Sequence, residues 1–383
     1  MSRFALEIIV IGAGIAGASA AAELARTHRV AMLEGEDSPG YHSTGRSAAL
    51  FSEAYGDAPV RALARASREF FCAPPMGFSS HPIVKRRGVL QIANALQVAA
   101  LERFLLQHDI QHQVRRVGAD EALSLCPLLR PESAAAGGIY EKDAADIDVH
   151  ALHHGYLRLF RQRGGALVTR AHVTAVARAG VNWLVKSTAG EFAAPVLINA
   201  AGAWADHIAG LAQVKPMGIQ PYRRTIALAQ VSPAAVPDDC PMIVDMDESY
   251  YFRPEAGMLL ISPADETPVN PCDAHPEDMD VAIAVDRVEK ATRLTIERVR
   301  RAWAGLRSFA PDRTPVIGFD ALASQFFWLA GQGGYGIQTA PAAAALTVAL
   351  VRGDSPPPAL AGFDSGRLAP SRSFAGSRAS SET

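Results

Sequence analysis

Gly12, Gly14 and Gly17 follow directly on the apolar run Ile8-Ile9-Val10-Ile11 and precede an alanine-rich, helix-prone stretch from Ala18 to Arg26. A strand, a GxGxxG turn and a helix in that order suit the pyrophosphate of a dinucleotide. The first glycine permits the tight turn, the second lets the backbone approach the phosphates, and the third lets the helix pack on the strand. The helix N-terminus then presents free N–H donors and the positive end of its dipole. Glu34 ends the next apolar run, Val30-Ala31-Met32-Leu33. A carboxylate there accepts from a ribose 2′-hydroxyl and repels a 2′-phosphate, which disfavours NADP. These residues predict a βαβ unit that binds a dinucleotide.

Cationic residues among apolar neighbours suggest a second chemistry. Arg223 and Arg224 open a strand-like run, and Arg307 stands in Gly305-Leu306-Arg307-Ser308, between an expected helix and an apolar segment. A planar guanidinium holds a carboxylate through two parallel bonds. Consecutive strand residues face opposite sides, so only one of Arg223 and Arg224 can enter a site. The loop Gly40-Tyr41-His42-Ser43-Thr44-Gly45-Arg46-Ser47-Ala48-Ala49 is rich in hydroxyls and small residues and could track a long cofactor. Motifs for zinc proteases, serine hydrolases and P-loop enzymes are missing. His153 and His154 are adjacent on a predicted helix, point to different faces, and read as helix surface. Asp265, Glu266 and the acids near Asp278 read as a solvated loop, so no metal site is expected. No side chain stands out as a catalytic base; His42 reads as packing beside the cofactor.

These groups need elements to carry them. Strand runs recur at 166–176, 196–199 and 326–330, and helices are expected at 149–163, 280–295 and 339–351. An antiparallel group is expected from the runs at 223–231, 242–246, 250–253 and 258–262, with a turn at Pro254-Glu255-Ala256-Gly257. The fold class is therefore α/β. The chain has 383 residues, 37 of them Lys or Arg and 39 Asp or Glu. A net charge of −2 leaves no polybasic surface for nucleic acid or anionic lipid. No apolar run approaches the ~20 residues that cross a bilayer. Glu7 and the early glycines interrupt what a signal peptide would need. Cys72, Cys126, Cys240 and Cys272 form no CxxC pair and read as reduced thiols of a cytoplasmic protein. The stretch 366–383, poor in large apolar groups, reads as a flexible tail.

Five blocks in order carry a family resemblance: residues 9–17, Tyr41 to Ala49, Asn199-Ala200-Ala201-Gly202-Ala203-Trp204, Trp303-Ala304-Gly305-Leu306-Arg307, and Gly333-Gly334-Tyr335-Gly336-Ile337-Gln338-Thr339. Together they resemble the FAD-dependent D-amino-acid oxidoreductases (DAO family). The pattern is nearest that of bacterial D-arginine dehydrogenases and more distantly that of glycine and sarcosine oxidases. The resemblance implies an FAD-binding Rossmann-like domain (1–80, 138–215, 310–365) and an antiparallel-sheet substrate-binding domain (81–137, 216–309). None of the cysteines falls where sarcosine oxidases attach their flavin, so the FAD is expected to be non-covalent.

By the same resemblance Gly12, Gly14, Ala16, Gly17, Glu34, His42, Ser43, Thr44, Arg46, Ser47 and Ala48 line the FAD. Val173 touches its adenine, and Ala201 and Gly202 lie along the ribityl-adenosine side. Gly333, Gly334, Tyr335, Gly336, Ile337 and Gln338 lie near the flavin N1–C2=O edge, where reduction places negative charge. The resemblance assigns the substrate carboxylate to Arg307, to Arg224 in preference to Arg223, and to Tyr251, with Tyr55 as a gate. Gly334, Leu50 and Val89 are expected to touch substrate. A glutamate that grips cationic side chains in D-arginine dehydrogenases is replaced by Val89, and a histidine by Leu50. The implied reaction is FAD-dependent oxidative deamination of a D-amino acid, by hydride transfer from Cα to flavin N5, giving a 2-oxo acid and ammonia. A neutral or apolar side chain is expected, and oxygen or a quinone-like compound would accept the electrons. Oxidation of glycine, sarcosine or a 2-hydroxy acid is the alternative.

Overall fold

The computed structural model describes residues 5–232 and 236–374. Every residue of the strands Ile8–Ile11 and Val30–Leu33 is buried, because the sheet they form is covered on both faces. That sheet runs Val316–Phe319, Phe326–Ala330, Val196–Asn199, Ile8–Ile11, Val30–Leu33, Ala166–Val168. Its strands are parallel except for Val316–Phe319, which pairs antiparallel with Phe326–Ala330. Ile8 and Val10 meet the helices Ile15–Leu24, Val149–Gln162 and Gly336–Arg352 on one face. Ile9 and Ile11 meet a three-stranded sheet (Val173–Ala179, Asn182–Ser187, Gly190–Ala194) on the other.

The second large sheet runs Gln332–Gly333, Thr295–Phe309, Gln220–Ser232, Met258–Ser262, Tyr251–Glu255, Met242–Asp245, Val89–Ile92, Gly138–Glu141, Arg115–Val117. Its register decides which side chains share a face. Arg307 lies opposite Tyr222, and Gly305 opposite Arg224. Val244 lies opposite Tyr251, Met242 beside Val89, and Val89 opposite Glu141. Alternation therefore puts Arg307, Arg224, Tyr251, Met242, Val244, Val89 and Glu141 on one side of the sheet.

Several expectations change. The helix expected at 280–295 is Asp278–Ala291, and the 15-residue strand Thr295–Phe309 follows it. Arg307 is thus a strand residue, and its direction is set by the ladder with Gln220–Ser232 rather than by a loop. Gly138–Glu141 pairs within the substrate-side sheet, so the boundary expected at 138 cuts through that sheet. Residues 366–374 are no tail. Leu368 is fully buried, and Arg372 grips both carboxylate oxygens of Asp312 at 2.7 and 2.9 Å and the Thr314 carbonyl. The rest of the expected tail, 375–383, lies outside the described residues. His153 is not a surface residue either: it is buried, with Nε2 2.8 Å from the Ala13 carbonyl oxygen.

Candidate active site

The glycine turn is framed from three sides. Gly12 has φ +102°, and a Cβ there would collide with the Ala200 carbonyl oxygen. A Cβ on Gly17 would collide with the Gly12 carbonyl, the close helix–strand packing expected of the third glycine. Ala13 N–H donates to Glu34 Oε2 (2.9 Å) and Ile15 N–H to Thr44 Oγ1 (3.0 Å). The helix Ile15–Leu24 starts at Gly14 with no side-chain cap, which leaves other end donors free for an anion.

A long cavity opens from this turn. Glu34, Val173 and His172 line it together with Gly12, Gly14, Ala16, Ala201 and Gly202. So do His42, Ser43, Thr44, Arg46, Ser47, Gly333, Gly334, Gly336 and Ile337. The N-terminus of Gly336–Arg352, also without a side-chain cap, is part of that wall. His42 Nε2–H donates to Glu36 Oε1 (2.9 Å), while its buried Nδ1 has no partner among the described residues. The glycine cradle, the uncapped helix ends and this orphaned nitrogen fit a bound dinucleotide. Ser43 Oγ donates to the Leu306 carbonyl (2.7 Å), and Arg46 donates to the Ala274 carbonyl (2.7 Å) and pairs with Asp273. Arg46 also donates to the Ala304 carbonyl (3.2 Å), so both residues tie the cofactor loop to the substrate-side sheet.

Four expected cofactor residues do not line this cavity. Gly17 is the packing contact just described. Ala48 and Tyr335 face a second cavity. Gln338 turns its Oε1 to Ser52 N–H (2.8 Å), because its place in the first turn of its helix faces the loop at 52. Sequence reasoning missed His172, Trp204, His207 and Leu306 as lining residues. Trp204 and Leu306 stand within two of the quoted blocks and His172 adjoins Val173, and those were the available signals.

The second cavity is lined by Leu50, Tyr55, Val89, Gln91, Glu141, Met242, Val244 and Tyr335, among others. It shares Ser47, Arg224, Tyr251, Arg307 and Gly334 with the first, so these residues form the seam between the two. Alternation separates the arginines as expected: Arg223 turns away to Glu277 and Asp280. Arg224 reaches the seam, with Nε on the Asp265 carbonyl (2.8 Å) and Nη2 on Glu266 (3.1 Å). Of the acids at 265–266, expected in a solvated loop, Glu266 is exposed, whereas the Asp265 side chain is packed away from water. Asp265 is buried against Thr225, and burial raises its pKa.

Arg307 differs from its neighbour. Its Nη1 donates to Tyr55 Oη (3.1 Å), and among the described residues no carboxylate pairs with it. Burial acts against its charge, but the phenolic oxygens of Tyr55, Tyr251 and Tyr335 outweigh that, and its pKa is raised. Tyr335 itself is pushed up by burial and stays a neutral phenol. Gly334 leaves room for the guanidinium, since a Cβ there would lie 2.8 Å from Arg307 Cζ.

Two buried groups link pH to stability in opposite senses. Burial lowers the His153 pKa from 6.5 to about 4, so the unfolded chain binds the proton first and acid destabilises the fold between those values. Burial raises the Glu141 pKa from 4.5 to about 7, so the folded chain binds the proton first and acid stabilises the fold over that window. Each effect amounts to about 3 kcal/mol at full extent. Between pH 7 and 5 the Tm of His153→Gln should rise relative to wild type, and that of Glu141→Gln should fall; parallel thermal melts would refute the assignment.

The sequence profile of the family described as "DAO: FAD dependent oxidoreductase" matches residues 7–350. The chain is 26% identical over 264 residues to the hydrogen cyanide synthase subunit HcnC of Pseudomonas aeruginosa, an alignment covering 68% of this chain and 61% of that one. It is 23% identical to glycine oxidase of Geobacillus kaustophilus over 90% of this chain and 92% of that one. The crystal structure of glycine oxidase from that organism superposes with a TM-score of 0.84 at 21% identity, over 96% and 99% of the two chains. L-proline dehydrogenase from P. horikoshii superposes with a TM-score of 0.80 at 21% identity, over 96% and 97%. No helix among the described residues is long and apolar enough to cross a membrane. With its dinucleotide cradle and its match over most of its length, the chain belongs to the DAO family of FAD-dependent oxidoreductases.

Proposed function

We propose that the protein oxidises the α-carbon of a D-amino acid with a neutral or apolar side chain, giving an imino acid that hydrolyses to a 2-oxo acid and ammonia. The observation that carries this reading is Arg307: a guanidinium at the seam of the two cavities, with a phenol beside it and no carboxylate partner among the described residues. A substrate carboxylate supplies the missing anion, and the pair gains from partial desolvation. Arg224 and Tyr251 line the same seam and complete the clamp. FAD, when bound, supplies the two-electron acceptor for the Cα hydride. The chain's own part is to fix the carboxylate, orient the Cα–H and exclude water, with the substrate amine entering neutral so that no protein base is required. The four free thiols favour work in the reducing cytoplasm, with oxygen or a quinone-like compound taking the electrons.

Leu50, Val89, Met242 and Val244 give the second cavity its apolar wall. Glu141, Asp247 and Glu248 also line it; Glu141 accepts from Ser52 and Glu53, Asp247 accepts from Gln97 Nε2 (2.8 Å), and Glu248 is exposed. A cationic side chain would therefore find no acid at the position of Val89 itself, where the wall is apolar. Anaerobic mixing of the yellow holoenzyme with D- and L-amino acids, sarcosine and 2-hydroxy acids tests the reading. Bleaching by neutral D-amino acids is the expected result; a flavin that no amino acid bleaches overturns it. A carboxylate clamp binds a 2-hydroxy acid or an N-methylated amine equally well, so bleaching by those compounds alone would identify the alternative substrate class.

Val89→Glu should raise kcat/KM for D-arginine about tenfold or more, the worth of one charge-assisted bond. Glu141 lies directly across the ladder, so the new carboxylate meets a like neighbour and the variant should melt slightly lower. Steady-state kinetics with D-arginine and D-norleucine checks this, and an unchanged ratio would misplace Val89.

A further inference from the structure

The loop from Ser52 to Asp57 joins the short strand Leu50–Phe51 to the helix Ala58–Cys72 and carries Tyr55 to Arg307. It is pinned at both ends. Asp57 caps the helix by accepting from Val60 N–H (2.9 Å) and also accepts from the Thr314 hydroxyl. At the other end Ser52 N–H donates to Gln338 Oε1 (2.8 Å). Between these pins one side chain of the substrate-side sheet holds the loop. Glu141 Oε2 accepts from Ser52 Oγ (2.5 Å), and Oε1 accepts from Glu53 N–H (2.8 Å). Ser52 Oγ in turn accepts from Ala54 N–H (3.3 Å), the residue before Tyr55.

Glu141 is 5% exposed, stands beside Val89 and Met242 on the cavity side of the sheet, and among the described residues has no cationic partner; the nearby Arg68 pairs with Glu53 instead. A buried carboxylate is costly unless its bonds are needed where they are. We propose that Glu141 is the positioning residue of the carboxylate clamp: by holding Ser52 and Glu53 it fixes Tyr55, and through Tyr55 the guanidinium of Arg307. The inference rests on the reading that a substrate carboxylate sits on Arg307. Tyr55 is supported from its other side by the Tyr335 ring, 5.0 Å away edge-on, so loss of Glu141 loosens the phenol without ejecting it.

A loosened clamp still carries its charge but aims the substrate less well. The expected mark is therefore on the rate of flavin reduction rather than on binding. Stopped-flow reduction under anaerobic conditions reads both. With the best amino-acid substrate, Glu141→Leu should lower the limiting rate about tenfold while the substrate Kd changes less than threefold. Glu141→Gln keeps an acceptor for Glu53 N–H and a hydrogen-bonding group for Ser52, and should recover to within threefold of wild type. In a Tyr55→Phe background, Glu141→Leu should add less than threefold, because the two act through one contact.

A limiting rate in Glu141→Leu equal to wild type overturns the proposal, as does a tenfold loss that persists in full without the Tyr55 hydroxyl. Should Glu141→Leu not fold, Ser52→Ala removes one of the two donors and must show the same split between rate and affinity; an unchanged rate there overturns the proposal equally. If no amine reduces the wild-type flavin, the amine-oxidation reading fails by itself, and the same variants are compared with the 2-hydroxy acid that reduces it.

Discussion

Replacing Arg307 by methionine should lower kcat/KM for the best substrate by about a thousandfold or more. Two losses add. A desolvated pair between guanidinium and carboxylate contributes about 2–5 kcal/mol when one partner is removed. The carboxylate also fixes the direction of the Cα–H, and misplacement by about 1 Å costs about a hundredfold. Methionine keeps an unbranched stem but is two atoms shorter and cannot donate to Tyr55 Oη, which is the bond seen at 3.1 Å. Holoenzyme yield should stay near wild type, because the glycine cradle is untouched. Gly334→Ala should give a milder version of the defect, since the added methyl would come within 2.8 Å of Arg307 Cζ and push the guanidinium aside. Arg307→Met with kcat/KM within tenfold of wild type would remove the clamp from the mechanism. The measurement is anaerobic flavin reduction with a D-amino acid, alongside the 280 to 450 nm absorbance ratio of each variant.

Gly12→Ala is expected to purify colourless, or to need at least about a hundredfold more FAD for half-saturation. At φ +102° an alanine carries backbone strain of about 1–3 kcal/mol, and its methyl would meet the Ala200 carbonyl oxygen. Relief requires the turn to move away from Ala200 and Ala201, and that displaces the N-terminus of Ile15–Leu24 from its place at the cavity. About 2.7 kcal/mol corresponds to that hundredfold. Titration of the apoprotein with FAD, followed by flavin fluorescence, gives the value. Wild-type affinity in Gly12→Ala would mean that the cofactor does not lie against this turn. Gly202 also has positive φ, +56°, but nothing lies within 4 Å of its added Cβ, so Gly202→Ala should lose far less.

How much was legible depended on range. The βαβ unit was readable because local signals agree: buried runs, three glycines at fixed offsets, and an acid ending the second strand. The choice of Arg224 over Arg223 needed only the twofold period of a strand once the resemblance named the candidate. Thr295–Phe309 was partly missed because its charged residues, Arg298, Arg300 and Arg301, fall in an exposed end of the strand and mask the alternation. Only the ladder with Gln220–Ser232 fixes it as strand, and that contact spans more than sixty residues of sequence. His153 was misread for a related reason. Adjacent histidines on a helix say nothing about which face is buried, and the partner that decides it, the Ala13 carbonyl, is 140 residues away. Gln338 and Tyr335 show the limit of a block motif: it places the helix start against the cavity but not each side chain in its first turn.

The two cavities meet through a common wall, and this has a thermodynamic corollary. With Ser47, Arg224, Tyr251, Arg307 and Gly334 belonging to both, FAD bound in the first cavity would form one boundary of the proposed substrate space. Affinities for two ligands that share a boundary are reciprocal: whatever factor FAD contributes to retention of a carboxylic acid, that acid returns to retention of FAD. A competitive inhibitor such as an aromatic carboxylate should therefore slow the leakage of flavin during dialysis, and apoprotein should hold such an inhibitor poorly until it is reconstituted.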